Sequence, residues 1–181
     1  MSAIERIRQE RFVAILRSPP DLDEAAEELV GAGVGVLEIT LDTPGALEAI
    51  RRWRTRATVL AGTVRTQADA DAAVAAGAAA LVSPALVFLE HNVPHVPAAF
   101  TPTEVETAWR GGAPLVKLFP GAALGPSYLR SLLTPLADVP LFVTGGISAE
   151  NAAAFLDAGA VAVGADSSRA LSVWEAVKVG A

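Results

Sequence analysis

The 181-residue chain contains no cysteine, one methionine, one tyrosine and two histidines. Without cysteine there are no disulfides, thiolate nucleophiles or zinc knuckles, and the redox compartment stays open. His91 and His95 fall in an irregular stretch at a spacing that suits no metal site, so both read as incidental and no metal is expected. No run of about 18 uninterrupted apolar residues occurs, which argues against a membrane span. The N-terminal stretch from Ser2 to Arg11 reads as a charged amphipathic helix with Ile4 and Ile7 on one face. It has no apolar core of the signal-peptide kind, so cytoplasm is the expected location. Basic residues are few, 14 against 20 acidic, and the formal net charge of −6 speaks against a broad nucleic-acid surface. Lysine is scarcer still, because Lys117 and Lys178 are the only two among those 14 basic side chains.

What is present fits a compact α/β chain. Apolar residues make up 52% and charged residues 19%, enough for one core and too apolar for disorder. The length suits one domain spanning residues 1–181. Short β-type runs recur at intervals of roughly 20 residues, most of them followed by an Ala-rich helical stretch, the pattern of βα units on a parallel sheet. They are Phe12–Arg17, Val34–Leu41, Thr58–Val64, Ala80–Pro84, His95–Phe100, Pro114–Phe119, Leu141–Thr144 and Val161–Gly164. Asp21 or Asp23, the Thr43-Pro44 pair, Thr101 and Ser148 mark helix starts, and Gly31, Gly33, Gly77 and Gly159 mark stops. The connection Ala85–Pro94 is too short and irregular for a full helix, and the last helix, around Leu171 to Val177, reads as brief. Eight alternating runs predict a lean (β/α)8 barrel with an N-terminal helix, the alternative being an open doubly wound sheet.

Lys117 lies inside the apolar run Leu115-Val116-Lys117-Leu118-Phe119-Pro120. A lone ammonium is costly to bury. A lysine amine, unlike a guanidinium, can lose its proton and attack a carbonyl to form a Schiff base. In the second run Leu37, Ile39 and Leu41 share one strand parity and Glu38 and Thr40 the other, so Glu38 turns inward if the apolar set packs on helices. Arg17, Thr63, Ser83, Thr101 and Thr144 fall at or near run ends, which in a barrel converge on one mouth. The bland readings are that Lys117 and Glu38 form a structural ion pair, that Arg17 covers a rim, and that the threonines are ordinary strand formers. Trp53, Trp109 and Trp174 read as packing residues. Gly145-Gly146-Ile147-Ser148 and Gly164-Ala165-Asp166-Ser167-Ser168 close the last two runs. Glycine turns ahead of helix N-termini let backbone N–H groups approach an anion, the usual phosphate location in such barrels.

These residues, in this order, resemble the 2-keto-3-deoxy-6-phosphogluconate (KDPG) and KDPGal aldolases, class I enzymes. The resemblance runs from about Phe12 to Ser168 through Val13-Ala14-Ile15-Leu16-Arg17, Leu37-Glu38-Ile39-Thr40-Leu41, Ala61-Gly62-Thr63-Val64, Val82-Ser83-Pro84, Thr101-Pro102-Thr103-Glu104, Val116-Lys117-Leu118-Phe119-Pro120 and Thr144-Gly145-Gly146-Ile147. It implies a Schiff-base lyase that cleaves a 2-keto-3-deoxy-6-phospho sugar acid, or 4-hydroxy-2-oxoglutarate, to pyruvate and an aldehyde such as glyceraldehyde 3-phosphate. Lys117 would form the imine and Glu38 would move protons. Arg17, Thr63, Pro84, Phe119 and Thr144 would contact substrate, and Gly145, Gly146, Gly164 and Ser167 would hold the phosphate. It implies no metal or cofactor, small-molecule partners alone, and a homotrimer. Three features depart from the family pattern: Asp42 where many members have Arg, Asp166 where a small residue is usual, and Pro120-Gly121-Ala122 in place of Pro-Ala-Glu. Two other readings follow from the same residues, a sugar-phosphate isomerase or epimerase with Glu38 as base, and a non-catalytic metabolite-binding barrel.

Overall fold

The computed structural model describes residues 1–179. Helix α1 (Ala3–Glu10) starts in a capping box: the Ser2 hydroxyl accepts the Glu5 N–H and the Glu5 carboxylate accepts the Ser2 N–H at 2.7 Å. Strand β1 (Phe12–Leu16) follows, then α2 (Leu22–Gly31), β2 (Val36–Thr40), α3 (Ala46–Trp53), β3 (Thr58–Gly62) and α4 (Gln67–Ala76). The second half runs β4 (Ala80–Val82), β5 (His95–Val96), β6 (Ala98–Ala99), α5 (Pro102–Arg110), β7 (Val116–Leu118) and α6 (Gly121–Leu133). It closes with β8 (Leu141–Thr144), α7 (Ala149–Asp157), β9 (Ala162–Asp166) and α8 (Ser167–Val179).

All pairings are parallel, in the order β5-β4-β3-β2-β1-β9-β8-β7-β6. The chain is a (β/α)8 barrel with an N-terminal helix. The expected fifth strand is present in two pieces, because Pro97 has no N–H to donate to a ladder. Its first piece pairs with β4 and its second with β7, so this interrupted strand closes the ring. No helix follows β4; the loop from Ala85 to Pro94 takes its place, as the sequence indicates.

Two apolar clusters follow strand parity. Phe12, Leu37, Ile39, Val59, Val116, Leu118, Val143 and Val163 face the helices. Val13, Val36, Leu60, Val82, Leu115 and Phe142 fill the barrel, and Ala3, Ile4 and Ile7 of α1 plug its N-terminal end. Three helices start at the expected residues: Asp21 caps α2, Thr101 caps α5 in a capping box and Ser148 precedes α7; α4 has a capping box of its own at Thr66. Helix α3 starts later than Thr43-Pro44 suggests, on Gly45 with φ +74°, because the Thr43 hydroxyl is occupied by the Ser18 N–H at 2.9 Å. Helix α8 is longer than expected at 13 residues, because Asp166 accepts the Ser168 N–H and starts it early. Among the described residues no helix is long and apolar enough to cross a membrane.

Candidate active site

Above the plug, the inward positions of β2 and β7 carry Glu38 and Lys117. Their strand neighbours at this level are apolar, with Glu38 level with Ile15 on β1 and Leu60 on β3. Lys117 Nζ lies 3.7 Å from Glu38 Oε1, and the two side chains are 4% and 0% exposed. Phe119 places its ring 5.2 Å from the same nitrogen. Both Glu38 oxygens and Thr144 Oγ1 are buried and have no hydrogen-bond partner among the described residues. An acceptor in that state costs free energy, so the site retains three oxygens that a reacting hydroxyl or carbonyl hydrate can satisfy.

Gly62 makes this arrangement possible. A Cβ there would meet Glu38 Cγ at 2.8 Å and its carboxyl carbon at 2.9 Å. The glycine gives the carboxylate its room, a role that the motif containing it did not reveal. The signal available was a glycine inside a strand-like run, which marks a close approach.

A cavity of about 450 Å³ opens above the pair. Lys117, Arg17, Phe119 and Thr144 line it, with Gly145, Gly146 and Gly164 on the wall formed by β8 and β9. Arg17 donates to Thr63 Oγ1 and to Asp42 Oδ2, each at 3.2 Å. Partial burial works to raise the Asp42 carboxyl, but the Thr40 hydroxyl and the Arg17 charge outweigh it and hold the group below its ordinary value. Thr63 adopts φ +59°, unusual for a β-branched residue and found where a site constrains the backbone.

Other expected residues lie elsewhere. Ser167 and Pro84 are half-buried and outside the cavity wall, whereas Ser168, Arg169 and Asp166 line it and were not anticipated as contacts. Ser83 does not reach the mouth: its hydroxyl lies 2.8 Å from His95 Nε2 on the outer face of β4 and β5. Thr101 likewise serves α5 as its cap. The histidine is therefore not incidental. Burial, and next the nearby His91, lower His95 to about 4, so it stays neutral in the fold.

A family model for KDPG and KHG aldolase matches residues 3–175. The chain belongs to that aldolase family. Among the aldolases it is similar to, the 2-dehydro-3-deoxy-phosphogluconate aldolase of Treponema pallidum is 37% identical over 164 residues, 85% of this chain and 78% of the relative. The 2-dehydro-3-deoxy-6-phosphogalactonate aldolase of Escherichia coli is 30% identical over 166 residues, 84% of this chain and 81% of the relative. Among solved aldolases, the 2-keto-3-deoxy-6-phospho-gluconate aldolase of Zymomonas mobilis superimposes with a TM-score of 0.86 at 26% identity, covering 100% of this chain and 98% of the other.

Proposed function

We propose that this barrel, acting as a single domain, is a class I aldolase that releases pyruvate from a 2-keto-3-deoxy acid through an imine at Lys117. The observation that carries the reading is the buried Lys117–Glu38 pair at 3.7 Å, with carboxylate oxygens unpartnered among the described residues and with Lys117 lining a mouth-facing cavity. Family membership places the chain among the aldehyde-lyases. Its relatives are named for KDPG, KDPGal and 4-hydroxy-2-oxoglutarate, all 2-keto acids with a hydroxyl at C4.

The Lys117 amine adds to the C2 carbonyl, and loss of water gives a protonated imine. Glu38 takes the proton of the C4 hydroxyl as the C3–C4 bond breaks. The bonding electron pair moves into the imine to give an enamine, and the C4 fragment departs as an aldehyde. Glu38 returns a proton to C3, and water then hydrolyses the imine to free pyruvate and the amine. Thr144 Oγ1 and Arg17 are placed to bind the keto acid's oxygens, and Phe119 covers the amine. Every step uses the chain's own groups, so neither metal nor cofactor enters the reading. The homotrimer and the cytoplasmic location implied by the resemblance belong to the same proposal.

Incubation with pyruvate and borohydride should leave a reduced adduct on Lys117, located by peptide mass spectrometry. Lys117→Arg should abolish both the adduct and cleavage. An unlabelled Lys117, in conditions that trap a control aldolase, sinks the reading. Turnover of a sugar phosphate that survives Lys117→Arg assigns the lysine an electrostatic role instead.

A further inference from the structure

We infer that the rim of this cavity selects a 2-keto-3-deoxy acid whose far end carries an uncharged hydroxyl in place of a phosphate, with Asp166 as the selecting residue. The inference rests on the aldolase reading and narrows its substrate.

Asp166 ends β9 on the inward parity of Ala162 and Gly164 and lines the same cavity as Lys117. Ile15 on β1 pairs with both Asp166 and Glu38, so Asp166 stands on the strand beside the one that neighbours Glu38, at the inward-facing end of β9. A substrate held by Lys117 fills the cavity whose wall Asp166 helps to form.

A helix start behind a late barrel strand offers free N–H groups to an oxyanion. Here the chain's own carboxylate takes that position. Asp166 Oδ1 accepts the Ser168 N–H at 3.2 Å and the Ser168 hydroxyl at 3.1 Å, in the first turn of the 13-residue α8. A phosphate dianion would have to displace a charge of its own sign from these donors. Among the described residues no cation pairs with Asp166 within 4.0 Å. Arg169, in the same turn, also lines the cavity, without a carboxylate within 4.0 Å among the described residues; the Ser148 hydroxyl does most, and Arg169 least, to hold the Glu150 carboxyl low. Across the mouth, Asp42 answers Arg17 at 3.2 Å.

The rim glycines do not require an anion to explain them. A Cβ at Gly164 would strike the Phe142 ring and the Thr144 methyl at 2.9 Å, one at Gly146 the Ala122 Cβ at 2.5 Å, and one at Gly145 the Phe119 ring at 3.0 Å. Close packing accounts for all three. For a hydroxyl the corner is favourable: Asp166 Oδ2 accepts no protein hydrogen bond among the described residues and is exposed to the mouth.

The test compares kcat/KM for 2-keto-3-deoxygluconate and its 6-phosphate, read as pyruvate release, for the full chain and for Asp166→Gly and Asp166→Asn. The unmodified chain should favour the unphosphorylated acid by roughly tenfold or more, the size of discrimination a single mismatched polar contact produces. Both variants should shift the ratio toward the 6-phosphate, through KM, with the glycine shifting it further. A chain that prefers the 6-phosphate, or a ratio that neither variant moves, overturns the inference. Pyruvate–borohydride labelling of each protein separates the two levels. Labelled Lys117 with the wrong preference defeats this inference alone, whereas no labelling and no pyruvate from either acid defeats the aldolase reading beneath it.

Discussion

Lys117 and Glu38 gain their chemistry from what surrounds them. A buried ion pair is weak grounds for stability, since desolvation offsets most of the attraction, and losing one partner leaves the other charge uncompensated. Here the carboxylate also lacks donors among the described residues, so the pair is a poor structural element, and the aldolase proposal gives it the work of a proton relay. Its geometry depends on Gly62, whose missing side chain is the space the carboxylate occupies. Gly62→Ala should push Glu38 away from the amine while leaving β3 paired and buried. We expect kcat/KM to fall roughly 10²-fold, the cost of displacing a reacting group by about an ångström. Deuterium exchange into the pyruvate methyl group, followed by NMR, should slow in parallel, and borohydride labelling of Lys117 should persist. Exchange at the unmodified rate would show that Glu38 is not the group that moves protons at C3.

At the scale of elements, the fourth unit is where this barrel departs from regular alternation. The loop from Ala85 to Pro94 stands in for a helix and leaves Phe88 67% exposed. Beneath it His95 is 6% exposed and held by Ser83. Burial disfavours the imidazolium in the folded chain, so the unfolded chain binds the proton first as pH falls. The stability that neutral His95 contributes is therefore complete above about pH 6.5, the ordinary imidazole value, and is lost progressively down to about 4. Tm measured across that window should fall less steeply for His95→Gln than for the parent. Parallel curves would mean His95 does not titrate between the two states.

This region also marks the limit of what the sequence conveys. The irregular connection after β4 and the strand near His95 were legible, because periodicity fails there visibly. The split at Pro97 and the Ser83–His95 bond were not, since they depend on which strand lies alongside. Helix α8 was underestimated for a related reason: Ser167 and Ser168 look like loop residues until Asp166 is seen to cap them. Lys117, Glu38 and the inward parity of both were readable because strand alternation is local. The room for Glu38 was not, because it is made by a glycine on the next strand.

Over the whole molecule, the ring is closed unevenly. Strands β1, β2 and β8 are fully buried and paired on both sides. The closure at β5 and β6 rests on two pieces of two residues each, separated by a proline that offers a carbonyl and no N–H. That carbonyl accepts the Lys117 N–H at 2.9 Å, so the seam adjoins the strand that carries the amine. Short ladders without a covering helix are the parts of a fold that open below the global unfolding free energy. Native-state hydrogen exchange should therefore find the amides of Leu81, Ser83 and Ala98, which bond across or beside the seam, protected at least about tenfold less than those of Leu37, Ile39 and Val143. A pyruvate adduct reduced onto Lys117 should raise protection at Ala98 and Lys117 more than at Ile39, because it immobilises the strand next to the closure. Uniform protection around the ring would mean that the barrel opens only as a unit and that Pro97 creates no separable seam.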